Sequence, residues 1–273
     1  MNRLRLNNAK IPIILLLVFF IAHSIAGSIS LDALFNLHAL QIIFAGVILS
    51  VIVGFSFKTV AETVLLIRSS FIQPVVYEND LHRIHQVSIK VKKQGLLALN
   101  ADIEDEEDSF IRDALVLLND YKKPEVIQNI MEKDIESRKN NLYRSYNLLK
   151  VISYVAPSFG LIGTLIGMIG LLSHLEQTYA IMGHMATALV STLYGSLIAS
   201  FIAIPLMVRI REYIESIVLR YRMVMEGILL IAGNDSTRNV FDKMNVMLKE
   251  EDRLVYPRAE NVSRGGVLDG FEI

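Results

Sequence analysis

Thr164, Ser191 and Thr192 stand in a stretch, residues 151–208, that holds no Lys, Arg or Asp and a single acid, Glu176. A hydroxyl in such surroundings has two uses. It can bond a carbonyl in the preceding turn of its own helix, a common habit of Ser and Thr. It can also offer its oxygen to a hard cation such as Na+, which must exchange hydration oxygens for protein oxygens on entering a dry seam. For any one hydroxyl the first use is the commoner; three of them on faces that also carry glycine point to a polar seam. Neither use is enzymatic. No Gly-rich phosphate loop, nucleophile elbow or metal-protease motif occurs, there is no Cys, and the six His are scattered without metal-ligand spacing. The basic residues Lys90, Lys92 and Lys93 are too few for a nucleic-acid surface. The sequence therefore offers no catalytic residue, no metal site and no cofactor.

The hydroxyls need two elements to hold them, and the composition supplies these. Residues 148–208 read as two long apolar segments joined by a polar turn at 173–184, each longer than the roughly 20 residues that cross a hydrocarbon core. Gly160, Gly163, Thr164, Gly167 and Gly170 recur at steps of three and four, as do Ala188, Ser191, Thr192, Gly195 and Ala199. Such spacing gathers each set on one helix face. In lipid, helices associate where small side chains let backbones approach, so both stripes predict close packing, within the hairpin or in a multi-chain bundle. Pro157 and Pro205 lie inside the segments and remove the bonds to the carbonyls of Ser153 and Phe201. They predict kinks, or points where the helices bend during a cycle.

All 27 Lys and Arg lie outside residues 11–57 and 151–208, the partition of a membrane protein with a sizeable polar part. Arg3, Arg5 and Lys10 precede the apolar run 11–27, which also has the form of a cleavable signal; a second run, Ala39–Phe57, follows closely. Basic residues at the outer ends and their absence from the loops 28–38 and 173–184 predict four spans with both termini in the cytoplasm. The expected fold is all-α: transmembrane helices 1 and 2 in 1–57, a cytoplasmic helical domain in 58–147, helices 3 and 4 in 148–208, cytoplasmic C-terminal helices in 209–250 and a disordered tail in 251–273. Helical spacing is clear at Leu81, Ile84 and Val87 and at Ile111, Ala114, Leu115 and Leu118. Asn234-Asp235-Ser236-Thr237 reads as a turn and helix cap. The run Asp102–Asp108, with six acids in seven residues, reads as a solvated loop, since like charges repel and stay in water.

One absence is informative. The four spans contain no Asp, Glu, Lys or Arg, whereas chains that relay ions across a membrane place ionisable groups there despite the cost. If this chain conducts ions, another subunit must supply the carboxylate.

The segments 156–168 (Ala156-Pro157-Ser158-Phe159-Gly160 through Gly167-Met168) and 188–195 (Ala188 through Ser191-Thr192-Leu193-Tyr194-Gly195) resemble the third and fourth spans of the MotA/PomA family, the stator A subunits of the bacterial flagellar motor. Lys92-Lys93-Gln94-Gly95 through Leu99, and Met225-Glu226-Gly227, also fit; the first two spans match poorly. The resemblance implies a bacterial inner-membrane protein forming a pentamer around a MotB- or PomB-like single-span B subunit whose Asp binds the translocated Na+ or H+. It implies that Thr164, Ser191 and Thr192 line the ion path, that Pro157 and Pro205 serve coupling, and that a rotor switch-complex protein is met by Lys92 and Lys93. The family's acidic position after Gly95 is Asn100 here, and Glu104 is a candidate to replace it. Hydroxyls at these places resemble the sodium-driven members. Two other readings stand beside this one: a TolQ/ExbB-like ion-driven subunit serving an envelope process, and a non-conducting membrane scaffold.

Overall fold

The computed structural model describes residues 35–120, 123–173 and 178–257, with Pro12, Leu16, Phe19, Phe20 and His23 as separate positions before them. Most of the expected first span, and the tail beyond Pro257, therefore lie outside the described residues. Those described are mostly helical, with no strand among them. The helices are α1 (Leu37–Gly54), α2 (Phe57–Ile72), α3 (Glu78–Gln94), α4 (Asn100–Glu104), α5 (Ser109–Asp120), α6 (Pro124–Ser173), α7 (Thr178–Leu197), α8 (Ile204–Ala232) and α9 (Thr237–Val246), with a π-helical segment, Ile198–Ala203, joining α7 to α8. Three continuous helical stretches, Leu37–Gly54, Pro124–Ser173 and Ile181–Ala232, are long and apolar enough to cross a membrane.

The chain divides into two compact units, residues 1–61 with 147–207, and residues 62–146 with 208–273. In the first, α1 packs on α7. Asn36 starts α1 as its N-cap, taking a bond from the Ala39 amide at 2.9 Å while its own Nδ2 donates to Thr187 Oγ1 at 3.0 Å. One side chain thus satisfies an orphan helix donor and ties α1 to α7. Pro157 lies within an unbroken α6. Ahead of Pro205 the helix widens into the π segment, where the Ile204 amide bonds Ala199 O. Proline lacks the N–H that Phe201 O would otherwise accept, and a local π register is one way a helix accommodates such a gap.

The second unit has an apolar core built from Leu81, Ile84, Phe110, Ile111, Leu115, Ile214, Ile228 and Phe241, none more than 2% exposed. These lie on the apolar faces of α3, α5, α8 and α9, which is why the four helices share one interior. Gly95 ends α3 at φ +83°, a conformation that glycine takes without Cβ strain. The chain then runs through one 3-10 turn, Leu96–Leu99, in which Leu99 is buried and Leu97 is 81% exposed. α8 closes with a Schellman turn: Asp235 N bonds Leu230 O and Asn234 N bonds Ile231 O, both at 3.0 Å, with Asn234 at φ 60°. Ser236 then caps α9 through the Asn239 amide at 3.1 Å.

The acidic run differs from the solvated loop expected of it. Arg220 on α8 forks onto both carboxylate oxygens of Asp80 and reaches Asp108 Oδ2 at 2.6 Å. Glu106 is 2% exposed, with its Oε2 2.8 Å from Arg83 Nε, and Asp102 pairs with Lys90 at 2.7 Å. Asp108 also caps α5 through the Phe110 amide at 2.8 Å. Burial raises the Asp108 carboxyl, but the Arg220 hydrogen bond and charge, with the Ile111 and Phe110 amides, outweigh it and hold the group below its ordinary value. Cations contributed from α3 and α8 neutralise charges that would otherwise repel one another into water. The disordered tail expected from residue 251 also differs where the structure describes it, since Tyr256 packs on Phe241.

Candidate functional site: a hydroxyl seam between two apolar helices

The glycines of α6 and the small residues of α7 face one another. A Cβ placed on Gly195 would fall 2.5 Å from Ala156 O and 3.1 Å from Gly160 Cα; on Gly167, 2.7 Å from Ala188 Cβ and from His184 O; on Gly163, 2.5 Å from Ser191 Cβ. On Gly170 it would meet the His184 ring, and on Gly160 it would lie 3.0 Å from Ser191 O. Backbone therefore runs almost against backbone at Gly160, Gly167 and Gly195, while Gly163 and Gly170 make room for the Ser191 and His184 side chains, the close approach that small residues permit in lipid.

At the middle of this contact the hydroxyls of Thr164 and Thr192 hydrogen-bond each other across the two helices. Thr164 Oγ1 also lies 3.0 Å from Ala188 O and 3.2 Å from Gly160 O, and Thr192 Oγ1 lies 3.3 Å from Gly160 O. Each hydroxyl has one proton to give and two lone pairs. Two protons thus serve a cluster of four oxygens, and lone pairs are left over. Ser191 behaves otherwise. It is fully buried, and its Oγ donates to Ala188 O in its own helix at 3.0 Å. The structure joins two of the three hydroxyls across the seam and leaves the third within its helix. Thr192 is exposed and Thr164 half-buried, so the seam opens on the outside of this chain.

Of the remaining residues singled out in the sequence, the two prolines belong to the first unit and the lysines and Glu104 to the second. Pro157 is half-buried and Pro205 exposed. Lys92 and Lys93 occupy the last turn of α3, and Glu104 is the exposed last residue of α4. Lys92 is engaged: its Nζ lies 2.6 Å from Asn234 Oδ1 and 2.7 Å from Asn234 O. Asn100 accepts from Asn119 Nδ2 at 3.3 Å. The described residues contain no group of acids and histidines able to hold a metal.

Sequence reasoning missed two contacts here. A Cβ on Gly46 would run into the Phe159 ring, so α1 and α6 interlock through a pair with no signal in either local pattern. Asn36 did carry a signal, a capping residue directly before an apolar run, and its second bond to Thr187 turns that cap into a tether.

Residues 102–223 match the family model described as the MotA/TolQ/ExbB proton channel family, a class of membrane channel proteins and not of enzymes. That span includes both the acidic run and the hydroxyl seam. The motility protein A of Treponema phagedenis is 33% identical over 173 residues, 63% of this chain and 67% of that protein. The motility protein A of Bacillus subtilis is 26% identical over 261 residues, covering 94% of this chain and 97% of the relative. A solved structure of the flagellar MotAB stator complex from Bacillus subtilis superposes with a TM-score of 0.76 at 26% identity, over 89% of this chain and 96% of the solved one. Within that channel class, the chain belongs to the motility protein A family. It is a multi-pass membrane protein.

Proposed function

We propose that this chain is the A subunit of a flagellar motor stator in the bacterial inner membrane, coupling the flow of Na+, rather than H+, to torque on the rotor. The similarity to the Bacillus subtilis MotAB stator complex supports a MotB-like partner. Five copies of the chain, each with four spans and both termini in the cytoplasm, surround single-span B subunits that carry the ion-binding Asp. Lys92, Lys93 and Glu104 face the rotor, and Pro157 and Pro205 are the places where α6 and α8 flex. One observation carries the reading: the Thr164–Thr192 pair sits within the close contact of two apolar helices that bring no Asp, Glu, Lys or Arg to the seam. It offers oxygens to a passing cation and lacks the charge to bind one alone.

Dependence on the partner is the test. Proteoliposomes holding the chain together with its B subunit should take up ions, and those holding the chain alone should not. Selective flux from the chain by itself would overturn the proposal.

A further inference from the structure

Past α9 the chain does not leave the surface. Asn245 holds residue 254 from both sides, with Nδ2 donating to Leu254 O and Leu254 N donating to Asn245 Oδ1, each at 2.8 Å. Arg253 reaches back to Leu248 O at 3.3 Å and Val246 O at 3.4 Å. The strap ends with Tyr256 set edge-on against two rings, Phe241 of α9 at 5.1 Å and His85 of α3 at 5.4 Å between centroids. The Arg238 guanidinium lies 5.2 Å over the Tyr256 ring.

His85 is the odd member of this cluster. It is 5% exposed, and its Nε2 is buried without a hydrogen-bond partner. Phe241 also meets it edge-on at 5.4 Å, so the three rings form a triangle. Of the titratable and charged groups on the elements packed around it, α3 brings His82, α9 brings Arg238 and the strap brings Tyr256; no carboxylate pairs with it among the described residues. A neutral imidazole tolerates these surroundings. An imidazolium would lose its hydration, keep an unpaired N–H and face a second histidine, His82.

We propose that residues 250–257 form a proton-sensitive latch, closed over neutral His85 and released when that imidazole takes up a proton. Ring faces attract a cation, but less than the water that closure removes. Burial, and then His82, push the His85 imidazole below its ordinary 6.5, while in the open form it meets water and returns towards that value. The sign follows by linkage. Closure is fully favoured above about pH 6.5, where both forms are neutral. It weakens as pH falls below that value, by up to about tenfold per pH unit for one proton. The latch does not depend on which ion the membrane helices carry.

Hydrogen exchange on the full-length chain in detergent reads the latch through the Leu254 amide, whose bond to Asn245 exists only when the strap is down. With protection factors corrected for the intrinsic pH dependence of exchange, protection of Leu254 should fall several-fold between pH 7 and pH 5.5 while that of α6 is unchanged. His85→Phe and His85→Gln, neither of which can take up the proton, should both abolish the fall. Tyr256→Ala should leave Leu254 poorly protected at both pH values. Flat protection in the unmodified chain, an equal fall in α6, or a fall that persists in both His85 variants would overturn the latch.

Discussion

Lys92 Nζ lies 2.6 Å from Asn234 Oδ1 and 2.7 Å from Asn234 O, so the ammonium of α3 holds the left-handed residue that terminates α8. Lys92 and its neighbour Lys93 are both exposed and share the last turn of α3, but only the Lys92 ammonium reaches the turn at Asn234. Two adjacent lysines that look equivalent in sequence therefore have different employment.

This separates two effects that a double reversal would merge. Lys93→Glu should impair swimming and leave the thermal unfolding of the purified chain where it was, because exposed charges orient partners more than they stabilise folds. Lys92→Glu should impair swimming and also lower the melting temperature, since it removes two bonds to the turn and places a carboxylate against two acceptors. Equal melting temperatures for the two variants would show that the Asn234 contact contributes nothing to stability. Normal swimming with both residues reversed would remove them from the rotor surface.

Arg220 is expected to be the most sensitive surface-accessible residue of the second unit. It is the only cation among the described residues that bonds both Asp80 and Asp108. Arg220→Met should destabilise the fold by about 3 kcal/mol, the lower end for breaking a buried pair, because Asp108 keeps partial access to solvent. Arg220→Lys retains charge but not the fork onto Asp80 and should recover only part of the loss. The lowered Asp108 carboxyl gives the pH sign: its contribution is complete above its ordinary 3.8 and is lost as pH falls through the still lower folded value. Thermal melts at neutral pH check the first statement. A variant as stable as the parent would mean that the triad is replaceable by apolar packing.

The glycines of the apolar helices divide by what a methyl would strike. At Gly195 and Gly167 the obstacles include backbone, Ala156 O at 2.5 Å and His184 O at 2.7 Å, whereas nothing lies within 4 Å of Gly54. Gly195→Ala and Gly167→Ala should each cost about 1–3 kcal/mol by overpacking, and the leucine variants should prevent assembly. Gly54→Ala should leave the elution of the solubilised complex unchanged. If Gly195→Leu also elutes normally, α6 and α7 have room that the distances deny.

Much of this fold was legible because it follows from composition and period. The stretch 151–208, with Glu176 its single charged residue, and the i, i+3, i+4 spacing of Leu81, Ile84, Ile111 and Leu115 needed no knowledge of distant partners, and the Ser236 cap is a local signal. What escaped was set by partners far along the chain. The acidic run looks like a water-loving loop until Arg83 and Arg220 are brought to it, the latter 112 residues from Asp108. Lys92 looks free until Asn234, 142 residues on, comes beside it. In the seam, spacing alone grouped Thr164, Ser191 and Thr192 without deciding which would meet. The helix rotation that buries Ser191 against Gly163 is what turns Thr192 towards Thr164.

The ion is decided by what the Thr164 hydroxyl is for. Its oxygen lies within bonding distance of Thr192 Oγ1, Ala188 O and Gly160 O, so removing it costs packing, hydrogen bonds and an oxygen ligand together, and Thr164→Ala cannot tell these apart. Thr164→Val keeps the shape and loses only the oxygen; Thr164→Ser keeps the oxygen and loses a methyl. If the seam serves Na+, which needs oxygens in place of its shell, Val should lose sodium-dependent swimming as fully as Ala, and Ser should keep much of it. If the hydroxyl only staples α6 to α7, Ser should be near normal and Val should swim weakly at a sodium dependence unchanged from the parent. The measurement is swimming speed against external sodium at fixed pH and constant ionic strength, in cells whose stator A subunit is this chain. A half-saturating sodium concentration raised several-fold in any Val variant that still moves would place the oxygen on the ion. Speed in the parent that ignores sodium and collapses with a protonophore would make the coupling ion H+ and leave the Thr164–Thr192 bond a structural clasp.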